Sequence, residues 1–138
     1  MTTTTYHEVS PKEFINQLAK VPARLAPFLS NYSIEDYEDE DATCYLSNDK
    51  RSGYAITGDL DLVSVFSLPN AKQGRAAIFN AIENGARTLD CTGEHLADLY
   101  KQCGWQEVSR VKWDNKYAPN SWDYLKFGTP DIIYMKLS

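Results

Sequence analysis

Apolar positions recur at helical spacing in some stretches of the chain and alternate with polar ones in others, and each change of period marks an element. Tyr6-His7-Glu8-Val9 predicts a short first strand. Ser10-Pro11-Lys12-Glu13 then announces a helix, with Ser10 as N-cap, Pro11 at the first helical position and Glu13 reaching back as a capping box. Phe14, Ile15 and Leu18 share one helical face. Pro22 stops that helix, and Leu25, Phe28 and Leu29 predict a second short one. From Glu35 to Asp41, six carboxylates stand in seven positions. Their mutual repulsion predicts a solvated loop or a frayed helix end.

From Ala42 the period changes to two. Thr43–Ser47, Ser52–Thr57 and Leu60–Leu68 read as three strands of a meander, separated by the polar turns Asn48–Arg51 and Gly58-Asp59. The third of these is apolar on both faces, as a central strand is. Pro69 ends it, and a helix follows over 73–84 with Ala77, Ile78, Ala81 and Ile82 inward and Gly85 as its left-handed C-cap. Ala86–Cys91 reads as a strand, so strand, helix and strand in succession predict a parallel crossover. Thr92 is placed to cap the next helix, on which Leu96, Leu99, Tyr100 and Cys103 share a face, and Gly104 ends it. Gln106–Trp113 and Ile132–Leu137 predict a final antiparallel pair. The long segment between them carries Trp113, Tyr117, Trp122, Tyr124 and Phe127, either as cover for the sheet or as a binding surface.

The 138 residues fit one domain spanning 1–138. Hydrophobic residues make up 43% and charged ones 24%, a globular composition. A net charge of −5 argues against a general nucleic-acid binder and suits a cationic partner. The acidic run could mimic nucleic acid, but its carboxylates cluster in one segment instead of recurring along the chain. Cys44, Cys91 and Cys103 form no Cys-x-x-Cys unit, and with only His7 and His95 beside them no zinc spacing exists. No apolar run approaches the ~20 residues of a membrane span, and Met1 with its four threonines lacks the regions of a signal peptide. A reduced, cytoplasmic protein is the expectation.

Two stretches carry a resemblance. The loop Ala71-Lys72-Gln73-Gly74-Arg75-Ala76 precedes a helix, where backbone amides and the helix dipole can hold a phosphate. Later comes Ala97-Asp98-Leu99-Tyr100-Lys101-Gln102-Cys103-Gly104-Trp105. The first is similar to the Gln/Arg-x-x-Gly-x-Gly/Ala loop of the Gcn5-related N-acetyltransferase (GNAT) superfamily, with Ala71 at the Gln/Arg position. The second resembles that family's Ala-x-x-Leu/Phe-Tyr-x-x-x-Gly-Phe signature, with Trp105 for Phe. The element order matches as well, over roughly residues 6 to 137. The resemblance implies an α+β fold: a mixed, mostly antiparallel central sheet with helices on both faces and a parallel βαβ crossover at the acyl-CoA site. The Leu-Pro-x-Ala loop and Leu-Asp-Cys before the last helix look like small bacteriophage GNAT-like proteins, which implies a host-cell cytoplasm.

The resemblance further implies acetyl-CoA as cofactor, with its pyrophosphate on the backbone of Lys72, Gln73, Gly74, Arg75 and Ala76. A fourth-strand amide, from Val65, Phe66 or Ser67, would polarise the thioester carbonyl. Tyr100 inherits the role of general acid toward the departing thiolate. Asp90 and Glu94 are the candidate bases that would take a proton from an acceptor amine on a protein or small molecule. Against these stand plainer readings: Tyr100 as a packed core tyrosine, Asp90 in a structural pair, Glu94 favouring the helix dipole, and His95 at the surface. Cys91 has no identifiable His partner and reads as a small buried residue. The departure at Ala71 and the lack of an obvious base leave a second reading open: a GNAT-fold protein with little transferase activity that binds a partner protein.

Overall fold

In the computed structural model, which describes residues 4–22, 32–69, 71–113 and 128–137, the strands and the helices that begin at Pro11, Gly74 and Glu94 follow the order read from the sequence. The chain divides into two compact units, residues 1–87 and 88–138.

The first unit contains β1 (Tyr6–Val9), α1 (Pro11–Leu18), α2 (Ile34–Asp39), β2 (Thr43–Ser47), β3 (Ser52–Ile56), β4 (Asp61–Ser67) and α3 (Gly74–Glu83). Its strands pair antiparallel in chain order. Ser10 caps α1 by accepting from the Glu13 amide at 3.2 Å. The Glu13 carboxylate stands 3.5 Å from Lys50 Nζ, so only half of the expected capping box is seen.

The acidic run corrects the expectation of a loop or frayed end. Ser33 and Asp36 form a complete capping box, with Asp36 N donating to Ser33 Oγ (3.1 Å) and Ser33 N donating to Asp36 Oδ2 (2.9 Å). Acids in the first turn favour the positive end of the helix dipole. All six carboxylate residues are exposed, which relieves their repulsion, while Tyr37 turns inward and is fully buried.

Helices cover both faces of this unit's sheet. On one face Phe14, Tyr37, Cys44, Leu46, Ala55, Val63 and Phe66 form a single cluster, with the Phe14 ring edge-on to Tyr37 and Phe66 at 5.7 Å each. On the other, Tyr45 stacks on Tyr54 at 4.9 Å, and the Tyr54 hydroxyl bonds to Asn80 of α3 and to Asn84, the residue that ends it. Every residue of β3 is consequently buried. Gly53 is hemmed in by β2 and β4: a Cβ there would lie 2.4 Å from the Tyr45 carbonyl oxygen. α3 ends as expected at Gly85, whose φ of +107° allows a Schellman turn in which Gly85 N reaches Ile82 O and Ala86 N reaches Ala81 O.

The second unit contains β5 (Thr88–Thr92), α4 (Glu94–Gln102), β6 (Trp105–Val111) and β7 (Ile132–Leu137). β7 pairs antiparallel with both β5 and β6. Its buried residues are Leu89, Cys91, Ala97, Tyr100, Cys103, Trp105, Ile133 and Met135. Thr92 is not the cap expected of it. It remains in β5, and Gly93, at φ +92° and ψ 158°, is the N-cap of α4. That conformation is open essentially to glycine, and the Gly93 amide donates to Asp131 O at 2.9 Å. The helix expected at Leu25, Phe28 and Leu29 and the aromatic residues Tyr117, Trp122, Tyr124 and Phe127 lie outside the described residues.

Candidate functional site

β4 carries a bulge. Gly53 stands opposite Phe66 and Ala55 opposite Val63, so Ser64 and Val65 together face Tyr54. Ser64 takes φ +58°, and its hydroxyl meets the buried Tyr37 hydroxyl at 2.8 Å. A bulge interrupts the hydrogen-bond ladder and re-aims the backbone beside it. Of the three β4 residues predicted to lie at the acyl group, Val65 is within the bulge and Phe66 and Ser67 follow it. The Phe66 side chain is spent in the core, so only its backbone could serve a ligand.

Ser67 ties the strand to the predicted phosphate loop, for its hydroxyl accepts from the Gln73 amide at 3.1 Å. Lys72 is exposed and takes φ +54° as the chain turns toward α3. Gln73 is the N-cap of α3, yet its side chain makes no capping bond. It turns aside instead: Ser52 Oγ donates to Gln73 Oε1 (2.6 Å), and Gln73 Nε2 donates to Asp49 Oδ2 (2.8 Å). The helix therefore starts without a side-chain cap. A Cβ on Gly74 would meet nothing within 4 Å, so this start is open on its outer side. Such a helix N-terminus suits an anion, and the residues present fit the pyrophosphate of a CoA thioester. Arg75 and Ala76 continue the same turn. The signal for the Gln73 anchor was only a Gln where a Ser, Thr, Asp or Asn would ordinarily cap.

In the second unit Tyr100 is buried on α4, its ring edge-on to Trp105 at 6.2 Å. Burial, with Cys91 and Asp90 nearby, pushes its phenol well above the usual range, so it stays protonated at any physiological pH. Its hydroxyl makes no hydrogen bond among the described residues. Asp90 lies on β5 opposite Tyr134. Although the residue reaches the surface, surrounding protein desolvates its carboxyl and raises its pKa, a shift in the direction a base requires. Glu94 is drawn elsewhere. Arg110 Nη1 holds it at 2.6 Å and Asp131 at 3.0 Å, while Nη2 holds Glu107 at 2.6 Å. No spacing in the sequence announces this hub, because its partners come from α4, β6 and the approach to β7. His95 is exposed. Burial lifts the Cys91 thiol to about 12, which makes it inert as a nucleophile. Among the described residues no group of His, Cys, Asp or Glu is arranged to hold a metal, and no helix is long and apolar enough to cross a membrane.

No family model and no curated relative matches the sequence. Solved structures do match, over almost the whole chain. A Bacillus subtilis acetyltransferase in complex with CoA is 17% identical, covers 98% of this chain and 97% of its own, and superposes with a TM-score of 0.56. A spermidine N-acetyltransferase chimera from Vibrio cholerae and hSSAT is 12% identical over 99% of this chain and 95% of its own, with a TM-score of 0.64. A Salmonella typhimurium protein, yncA, described as a putative acetyltransferase with its cofactor acetyl-CoA, is 12% identical over 99% and 94%, with a TM-score of 0.60. The uncapped helix and the β4 bulge thus occur in a chain with the α+β fold of the GNAT acetyltransferases.

Proposed function

We propose that the protein is an acetyl-CoA-dependent N-acetyltransferase acting on a cationic amine of a small molecule or a protein. The observation that carries this reading is the uncapped start of α3 behind the β4 bulge, in a fold shared with a CoA-bound acetyltransferase. Acetyl-CoA would supply an acyl group already activated as a thioester. The backbone from Lys72 to Ala76 would hold its pyrophosphate, with Lys72 adding positive charge. An amide of Val65, within the bulge, or of Phe66 or Ser67 just beyond it, would polarise the carbonyl. Tyr100 holds a proton at its hydroxyl for the thiolate leaving group. Asp90 would serve as the base, since Glu94 is paired with Arg110. The exposed carboxylates of α2 and the net charge of −5 support a cationic acceptor, and the spermidine N-acetyltransferase chimera shows a polyamine enzyme on this fold.

The reading is tested by following acetyl transfer from acetyl-CoA to spermidine and to peptides with a free amine, with wild type and Tyr100→Phe. Turnover should fall by about a hundredfold in the variant, the loss typical of a missing general acid, with acetyl-CoA affinity within about twofold. Equal turnover removes Tyr100 from the mechanism.

A second reading is supported by the β6–β7 surface, where Val108, Val111 and Tyr134 are each more than two-fifths exposed. A GNAT-fold protein of little activity could present these residues to a partner, a host protein if the resemblance to bacteriophage proteins holds. It predicts no acetyl transfer to any amine and retention of one partner with or without acetyl-CoA.

A further inference from the structure

A helix that starts without a cap is ordinarily a weak point, because its first amides are left to water. Here the residue that could cap α3 is present and is held away. All polar atoms of the Gln73 side chain are engaged on the far side of the loop: Oε1 accepts from Ser52 Oγ at 2.6 Å, and Nε2 donates to Asp49 Oδ2 at 2.8 Å. Both anchors are themselves braced. Ser52 Oγ also meets the Tyr6 hydroxyl at 2.7 Å, and Asp49 Oδ1 accepts from Ser47 Oγ (2.7 Å) and from the Arg51 amide (3.1 Å). Ser47 and Ser52 are fully buried, and Gln73 is nine-tenths buried. The network thus runs from β1 through the β2–β3 turn to the base of α3, while the backbone amide of Gln73 is fixed separately by Ser67.

We propose that Gln73, Ser52 and Asp49 are positioning residues for the acyl-CoA site, holding the N-cap side chain off α3 so that the helix presents open amides to phosphate. This rests on the acetyl-CoA reading above. None of the three side chains needs to touch the ligand. Their effect is to fix the φ of −111° and ψ of 8° at Gln73, which are not those of an ordinary extended N-cap. They also keep a capping side chain off the first amides of α3. Freed from its anchors, residue 73 could adopt the extended cap conformation, and a short hydroxyl side chain there would bind the amide three residues on, competing with phosphate.

The test uses Gln73→Ser, which removes the anchors and installs a capping side chain, and Ser52→Ala, which removes one anchor alone. Neither changes the charge, so a loss of affinity reports geometry. Calorimetric titration with acetyl-CoA should show at least tenfold weaker binding for Gln73→Ser and a smaller loss for Ser52→Ala. In amide NMR spectra of wild type, acetyl-CoA should shift the Gly74 and Ala76 resonances. In free Gln73→Ser the Ala76 amide should already be displaced, as a capped amide is, and should respond little to ligand. Loss of general stability would not produce that local signature. If wild type binds acetyl-CoA and both folded variants bind equally well with unchanged Gly74 and Ala76 responses, the positioning role is wrong. If wild type itself binds no acetyl-CoA, the acetyltransferase reading fails and takes this inference with it.

Discussion

Single residues at this site are constrained from sides that a ligand would not touch. Phe66 shows the division of labour: its ring fills the core against Phe14, leaving only its backbone available. Tyr37 does something similar from a helix of exposed acids, placing its hydroxyl on Ser64 at the β4 bulge, where burial lifts the phenol to about 12. Gly53 is the tightest of the glycines. A methyl group there would meet the Tyr45 carbonyl at 2.4 Å and the Phe66 ring at 2.9 Å, and the first of these is backbone that cannot rotate aside. Gly53→Ala should therefore destabilise the protein by about 1–3 kcal/mol, as overpacking does. Urea unfolding checks this, and an unchanged midpoint would show that β2 and β3 can separate without loss.

At the scale of elements, the β2–β3 turn matters for more than joining two strands. Asp49 accepts from the Ser47 hydroxyl, from the Gln73 side-chain amide and from the Arg51 backbone, and these bonds hold its carboxyl below the usual carboxylate range. A depressed folded pKa gives stability that is full above the unfolded value near 3.8 and is lost as pH falls through the lower folded value. In Asp49→Asn that part of the acid sensitivity should vanish. Its melting temperature should lie below wild type near neutral pH and converge on it as pH falls below 3.8 through the lower folded value. Parallel curves across this range would mean that Asp49 contributes nothing through its charge. Most elements were legible before the structure, because hydrophobic period and cap chemistry are local. Pro11 behind Ser10, Gly85 after α3 and Gly104 after α4 stand where their sequence context puts them. α2 departs from the loop or frayed end that charge density predicts because the Ser33–Asp36 capping box starts a helix there, and α4 starts differently because Gly93 replaces Thr92 as the cap. The polar anchors were not legible at all. Gln73 is 24 residues from Asp49 and 21 from Ser52, and nothing in the spacing of polar residues announces a bond formed only after strands pair.

For the whole molecule, the fold is shared with acetyltransferases that are at most 17% identical among those compared, so it is carried by pattern and packing and little by residue identity. The two motifs that suggested it, Gly74-Arg75-Ala76 and Ala97 to Trp105, sit at a helix start and on a helix that buries its tyrosine. We propose that this chain has kept the acetyl-CoA site of the fold despite Ala71 at the Gln/Arg position. The most direct test is the melting temperature with acetyl-CoA in excess and with none. A ligand at 100 times its dissociation constant adds about 2.7 kcal/mol, which should raise the midpoint of a domain of this size by roughly 5–10 °C. Free CoA should give a similar rise, since the pyrophosphate is common to both. An unchanged midpoint at millimolar acetyl-CoA would show that the chain has lost that site.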